Sequence, residues 1–350
     1  MTLTGQTDHN EVTTTIDDVA TALGVSKGTV SRAITGNGRI STDTRRRVLD
    51  YMAAHDFHPN TIAQSLSRHK TMNLAFTVPN SRELTQLPFF LQALVGASTE
   101  AAGHGYDILV VTNDTDDVRR VVRQRKVDGV IVSRNLTDSD MLDYLAGTVV
   151  PFVLIGTTDE PGVLHVDHDN RTACRDLTVR LLERWPGRPG MIAGRRTHLV
   201  TQARVAGFLD AAASAPVAWD ATDDASTIAA FQDLRRRGVT SFFCEDDAVC
   251  ARLETALQSG QLGIDPASVN VAAFYDSPTL AALNPAVPVI RFDSSKLGAT
   301  ACAMLLRRID GQPQDNVLLD YEVAMKGSRT AGPAPTTRQR SPLSPTKGKK

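Results

Sequence analysis

The sequence predicts two fold classes in tandem: a small all-α head with helix-turn-helix layout over residues 14–58, and a large α/β core over 71–328 built as two parallel-sheet lobes. Three observations carry this. Short apolar stripes of helical period with cap signals fill the first sixty residues, and strand–helix alternation begins at Thr71. The alternating span is then too long for a single doubly wound sheet, and two similar lobes joined by crossing strands accommodate it better.

The chain of 350 residues has room for two or three domains, and 41% hydrophobic with 22% charged residues is an ordinary globular mixture. No apolar run approaches the ~20 residues of a membrane span, and MTLTGQTDHNEV has neither the basic start nor the apolar segment of an export signal, so a cytoplasmic location is expected. Cys174, Cys244, Cys250 and Cys302 lie scattered in apolar stretches without a CxxC pair, which reads as small core residues rather than disulfides or a zinc site. A net charge of −1 does not exclude nucleic acid, because a small binding module can be diluted by a larger acidic one.

Residues 1–13 are polar and read as a disordered N-terminus. Ile16, Val19, Ala20 and Leu23 follow the i, i+3, i+4, i+7 rule, and Thr15 with Asp18 forms a capping-box signal. The helix should stop at Gly24. Ser26 then caps a second short helix with Val30, Ala33 and Ile34 inward, and Ser41 caps a third running to about His55 with Val48, Leu49 and Met52 inward. Pro59–Leu66 is at most two helical turns, marginal alone, and 59–70 reads as hinge helix and linker. In the core, apolar runs recur at Asn73–Val78, Tyr106–Thr112, Gly129–Ser133, Pro151–Gly156, Gly190–Gly194, Ser241–Cys244, Val269–Phe274 and Pro288–Phe292. The segment 329–350 has basic residues, Pro, Thr and Ser without an acid, and reads as a disordered basic tail.

TTIDDVATALGVSKGTVSRAI has the layout in which one helix crosses the DNA backbone and the next enters the major groove. Lys27, Gly28 and Arg32 would face outward from the second helix. The alternative from spacing alone is a helical hairpin with solvated charges. Thr15-Ile16-Asp17-Asp18-Val19-Ala20, Gly24-Val25-Ser26, Thr29-Val30-Ser31-Arg32, Ser41-x-x-Thr44-Arg45 and His58-Pro59-Asn60 together resemble the DNA-binding head of LacI-family bacterial transcription regulators, and a weaker resemblance continues to about Ser328.

That resemblance implies base reading by Lys27, Gly28 and Arg32, with Arg32 suited to a guanine through two parallel hydrogen bonds. Gly28 departs from longer reading residues, so no operator preference follows from relatives. Ser26, Thr29, Ser31 and Asn37 fall at backbone-contact positions, where the competing role is capping and packing. Leu66 matches a leucine that wedges into the minor groove as the hinge orders on the operator, against the alternative of interdomain packing. Gln64 stands where an arginine is common.

For the core, the resemblance implies a periplasmic-binding-protein-like effector domain with its ligand in the cleft between lobes, at the strands' carboxyl ends. Phe89 and Phe90 follow Pro88 as an aromatic ligand wall, with core packing as the alternative. Asp169 and Asn170 stand after the lobe crossover, and Arg204 stands where relatives grip ligand oxygens. Asp246 replaces an amide, Tyr275 an aspartate and Phe292 a glutamine. A sugar is the default effector, with a less hydroxyl-rich or partly aromatic molecule as the alternative to which these departures point.

Other classes fit poorly. Gly24-x-Ser26-x-Gly28 matches a nucleophile-elbow pattern, but a helix precedes it and Ser26 is a cap, so no enzyme is expected. His165 and His168 are three apart on a strand and face opposite sides, so no metal is expected. No Walker or GxGxxG loop appears, and no cofactor is expected. The expected protein is a homodimeric repressor that binds a double-stranded DNA operator and is released by a small, carbohydrate-like effector. The alternatives are a corepressor-dependent regulator of the same fold answering to a nucleoside or carboxylate and, more distantly, a solute-binding protein without operator control.

Overall fold

The computed structural model describes residues 15–35, 38–55, 57, 70–79, 88–137 and 139–325. The chain divides into two units, Met1–Thr71 and Met72–Lys350.

In the first unit, α1 (Ile16–Leu23), α2 (Lys27–Thr35) and α3 (Thr42–Ala54) form the expected trio. The capping box is present: the Thr15 hydroxyl accepts from the Asp18 amide, the Asp18 carboxylate accepts from the Thr15 amide, and α1 ends on Gly24 at φ 65°. Ser26 and Ser41 cap α2 and α3 by accepting from the Thr29 and Thr44 amides at 3.1 Å each. Val19, Ala20, Val30, Ala33, Val48 and Phe57 make the core. One expectation is corrected. Leu49 is 42% exposed, because α3 turns only Val48 fully inward and the next residue lies about 100° around the helix. Phe57, beyond the helix, takes the inward place instead.

The second unit begins with β1 (Asn73–Val78), α4 (Pro88–Gly103), β2 (Asp107–Thr112), α5 (Thr115–Arg123), β3 (Gly129–Val132), α6 (Met141–Ala146), β4 (Phe152–Ile155) and β5 (His165–His168). It continues through α7 (Asn170–Leu182), β6 (Pro189–Ile192), α8 (Leu199–Ala211), β7 (Val217–Ala218), α9 (Asp224–Arg236), β8 (Ser241–Cys244), α10 (Asp247–Gln258), β9 (Asn270–Ala273) and α11 (Pro278–Leu283). Last come β10 (Val289–Phe292), α12 (Ser294–Ile309), β11 (Val317–Leu319) and β12 (Tyr321–Ala324).

These strands form two six-stranded sheets, ordered β11-β5-β4-β3-β1-β2 and β12-β10-β9-β8-β6-β7. The second order repeats the first, strand for strand, and every pair is parallel except β10–β12. All eight apolar runs of the core become strands. The sequence patterns miss β5, β7, β11 and β12: β5 reads His-Val-Asp-His, β7 has two residues, and β11 and β12 are half-exposed edges.

The chain passes between lobes three times, and each passage is a single aspartate: Asp169 between β5 and α7, Asp293 between β10 and α12, and Asp320 between β11 and β12. Asp169 and Asp293 are also N-caps, accepting from the Thr172 and Lys296 amides. After crossing, α7 packs in the second lobe, where Cys174, Leu177 and Leu181 meet Met191 and Phe243, while α12 packs in the first, where Leu297, Ala301 and Leu305 meet Leu74 and Phe76. Glycines make these packings close. A Cβ on Gly96 of α4 would lie 1.9 Å from the Ser295 carbonyl oxygen, one on Gly298 of α12 would lie 1.8 Å from that of Ala93, and one on Gly207 of α8 would lie 2.1 Å from that of Arg171. The four cysteines are free and buried.

Candidate functional site

On the head, Lys27, Gly28, Ser31 and Arg32 are exposed along α2 while Val30 and Ala33 are buried, so the residues expected to meet DNA occupy the outer face. The Lys27 ammonium lies 2.6 Å from an Asp17 carboxylate oxygen, an exposed pair that water screens. Ser26 and Thr29 share a 2.9 Å hydroxyl hydrogen bond, so both also serve the helix start. A Cβ on Gly28 would meet nothing closer than the tip of Arg32 at 3.6 Å, so the glycine is not demanded by local packing. Asn37 and Leu66, with most of the 59–70 hinge, lie outside the described residues.

In the second unit, the carboxyl ends of both sheets face a cleft of about 830 Å³. All eight core residues singled out from the sequence line it: Phe89, Phe90, Asp169, Asn170, Arg204, Asp246, Tyr275 and Phe292. The aromatic rings form a chain. Phe90 meets Phe89 edge-on at 5.1 Å, Phe89 meets Tyr275 at 6.0 Å, Tyr275 lies 6.2 Å from Phe292, and Phe292 lies 4.6 Å from the His168 imidazole. Arg134 lies over Phe90 at 4.8 Å.

Arg204 is 8% exposed. Its Nε donates to Asn170 Oδ1 at 3.0 Å, and its Nη1 donates to the Glu245 carbonyl at 3.2 Å and to Glu245 Oε1 at 3.5 Å. Asp169 and Asp246 line the cleft while each commits one oxygen to a helix cap, Asp246 accepting from the Val249 amide at 2.7 Å. The Tyr275 hydroxyl pairs with Ser294 at 2.8 Å, and burial pushes that phenol up to about 12.

The sequence reading missed Asp167, His168, Glu245 and Asp247 as lining residues. Asp167 accepts from the Thr157 hydroxyl and from Asn170 Nδ2, and burial raises its carboxyl. Burial raises Glu245 and Asp247 too, with the neighbouring Asp246 adding to both. His168 is pushed down to about 4, by burial first and by the Arg204 charge second. Its Nε2 is buried with no hydrogen-bond partner among the described residues. The available signal was position: each polar residue stands at or just beyond the carboxyl end of a strand, as Glu245 follows Ser-Phe-Phe-Cys. No grouping of His, Cys, Asp and Glu fit for a metal occurs among the described residues.

Known proteins show the same two parts. The model of bacterial regulatory proteins of the lacI family matches residues 15–60. That of periplasmic binding proteins and the sugar binding domain of the LacI family matches 71–226, and a periplasmic binding protein-like domain matches 180–328. The chain belongs to the LacI family. The HTH-type transcriptional regulator MalR of Staphylococcus xylosus is 28% identical over 88% of this chain and 94% of its own length. The ribose operon repressor of Bacillus subtilis is 28% identical over 90% and 98%. Among solved structures, a transcriptional regulator CelR–cellobiose complex superposes with a TM-score of 0.63 at 25% identity, covering 90% of this chain and all of that one. This LacI-family chain is thus a helix-turn-helix transcription regulator with a periplasmic-binding-protein-like core, and it is not an enzyme. Among the described residues, no helix is long and apolar enough to cross a membrane.

Proposed function

We propose that this LacI-family regulator is a cytoplasmic homodimeric repressor whose hold on a DNA operator is set by a carbohydrate bound between the lobes of its core. The observation that carries the reading is the cleft: rings from both lobes beside buried hydrogen-bonding groups suit a sugar, whose C–H faces stack on aromatics while its hydroxyls pair at the edge. The CelR complex with cellobiose and the ribose operon repressor support this class. Lys27, Gly28 and Arg32 would meet bases, Ser26, Thr29, Ser31 and Asn37 the phosphates, and Leu66 the minor groove. Dimerisation would cover an apolar face left open in the first lobe, where Leu91 and Val95 of α4 and Val110 of the edge strand β2 are exposed.

The mechanism is linkage. A ligand that binds the closed cleft better than the open one shifts the lobes toward closure by its differential affinity, and the two heads of the dimer change their fit to the operator. Fluorescence anisotropy on an operator selected from random DNA tests it, with a panel of mono- and disaccharides as titrants. A sugar is expected to release the DNA. Tightening would make the protein corepressor-dependent, and indifference to all sugars would remove the carbohydrate reading.

A further inference from the structure

Among the described residues, the one buried arginine, Arg204, meets its counter-charge inside the protein. The Glu245 side chain is 5% exposed and fully engaged: Oε1 accepts from the Thr201 hydroxyl at 3.0 Å and from Arg204, and Oε2 accepts from the Gly194 amide at 3.3 Å. The fit is built for it, since a Cβ on Gly194 would stand 2.8 Å from that Oε2. Glu245 therefore lies beneath Arg204 as a fixed partner.

We propose that Glu245 sets the charge selectivity of the cleft, cancelling Arg204 so that the site takes an uncharged polyhydroxy ring and turns away carboxylate- and phosphate-bearing molecules. The inference rests on the carbohydrate reading above and narrows it.

Three observations carry it. Arg204 retains guanidinium N–H groups for a ligand hydroxyl, yet its charge already faces Glu245 before any ligand arrives: burial raises that carboxyl to about 7, and the Arg204 charge draws it back toward the ionised form. Asp167 and Asp247 are also buried and line the same cleft, and burial already raises both carboxyls, so an anion there would add to a crowd of acidic groups and gain no unbalanced buried cation. The remaining buried base, His168, is held neutral near pH 7, and its unpaired Nε2 suits a hydroxyl, which can donate or accept. Four further arginines line the cleft: Arg134 lies over the Phe90 ring, Arg195 is exposed, and the other two face carboxylates. Arg171 is exposed and bound through two nitrogens to Asp210, and Arg252 stands 3.8 Å from Asp224.

The test is calorimetry on the full chain with matched neutral and acidic probes: glucose and glucuronate, cellobiose and cellobionate, ribose and ribose 5-phosphate. The wild type is expected to bind the neutral member of at least one pair, with its acid weaker by about tenfold or more. Glu245→Gln, which keeps the shape and removes the charge, should close that gap, while Glu245→Asp should preserve it. A structural role alone would weaken both members equally. The proposal is overturned if the wild type binds an acid as tightly as its neutral partner, or if Glu245→Gln melts normally and leaves the gap unchanged. Should Glu245→Gln fail to fold, the wild-type pairs decide alone. If no probe of either kind binds the wild type, the carbohydrate reading itself falls and takes this inference with it.

Discussion

His168 stands at the end of β5 where the first passage between lobes begins, and the charges facing it come from α8 and from the other two passages: Arg204 and Lys296 lower its pKa, Asp293 and Asp320 raise it. Burial wins. An unfolded histidine takes up a proton near pH 6.5, whereas His168 does so only near 4, so between these values the unfolded chain binds more protons and the folded state loses stability as pH falls. Replacing His168 by Gln should remove that loss. In urea titrations from pH 7 to 4, the variant should gain on the wild type by up to about 3 kcal/mol as the medium acidifies. A constant difference would mean that the imidazole titrates normally. In the head, Arg32 is the residue whose loss should alter sequence preference. Arg32→Ala is expected to cost about 1–3 kcal/mol on the selected operator and much less on random DNA. Equal losses in competition binding would make Arg32 a phosphate contact.

At the scale of elements, the helix crossings are the most tightly constrained features. In Gly298→Ala the new methyl would fall against a backbone carbonyl of α4, which no rotamer change relieves, so a loss of about 3 kcal/mol or more is expected from chemical denaturation. Gly103→Ala in α4, with open space around its position, is the matched control and should be neutral or slightly stabilising. Elements were legible wherever a local rule acts alone. Thr15, Ser26 and Ser41 marked the helix starts because an unpaired amide needs a nearby oxygen, and runs such as Gly129–Ser133 marked central strands because both faces are covered. Edge strands escaped because one side meets water and the apolar run dissolves, as in Val317–Leu319. The cleft was legible only through family likeness. Nothing local tells that Glu245, one residue past a strand, is buried, or that it faces an arginine forty-one positions earlier in the chain.

For the whole molecule, a two-fold dimer would present its reading helices by the same symmetry, so footprinting should reveal two equivalent half-sites; full-affinity binding of a monomer to one half would contradict the dimer. The two lobes matter at this scale in another way. Gly96 is the ninth residue of α4 and meets the second residue of α12, and Gly207 is the ninth residue of α8 and meets the second residue of α7. Each lobe thus clamps, main chain against main chain, the helix that has just arrived from the other. Contacts of this kind leave no layer of side chains to slide, so shear within either of these two helix pairs is closed. Under the proposed closure of the cleft the lobes would therefore swing as bodies, and the torsion angles around Asp169, Asp293 and Asp320, the single residues that join them, are where the angle would be taken up.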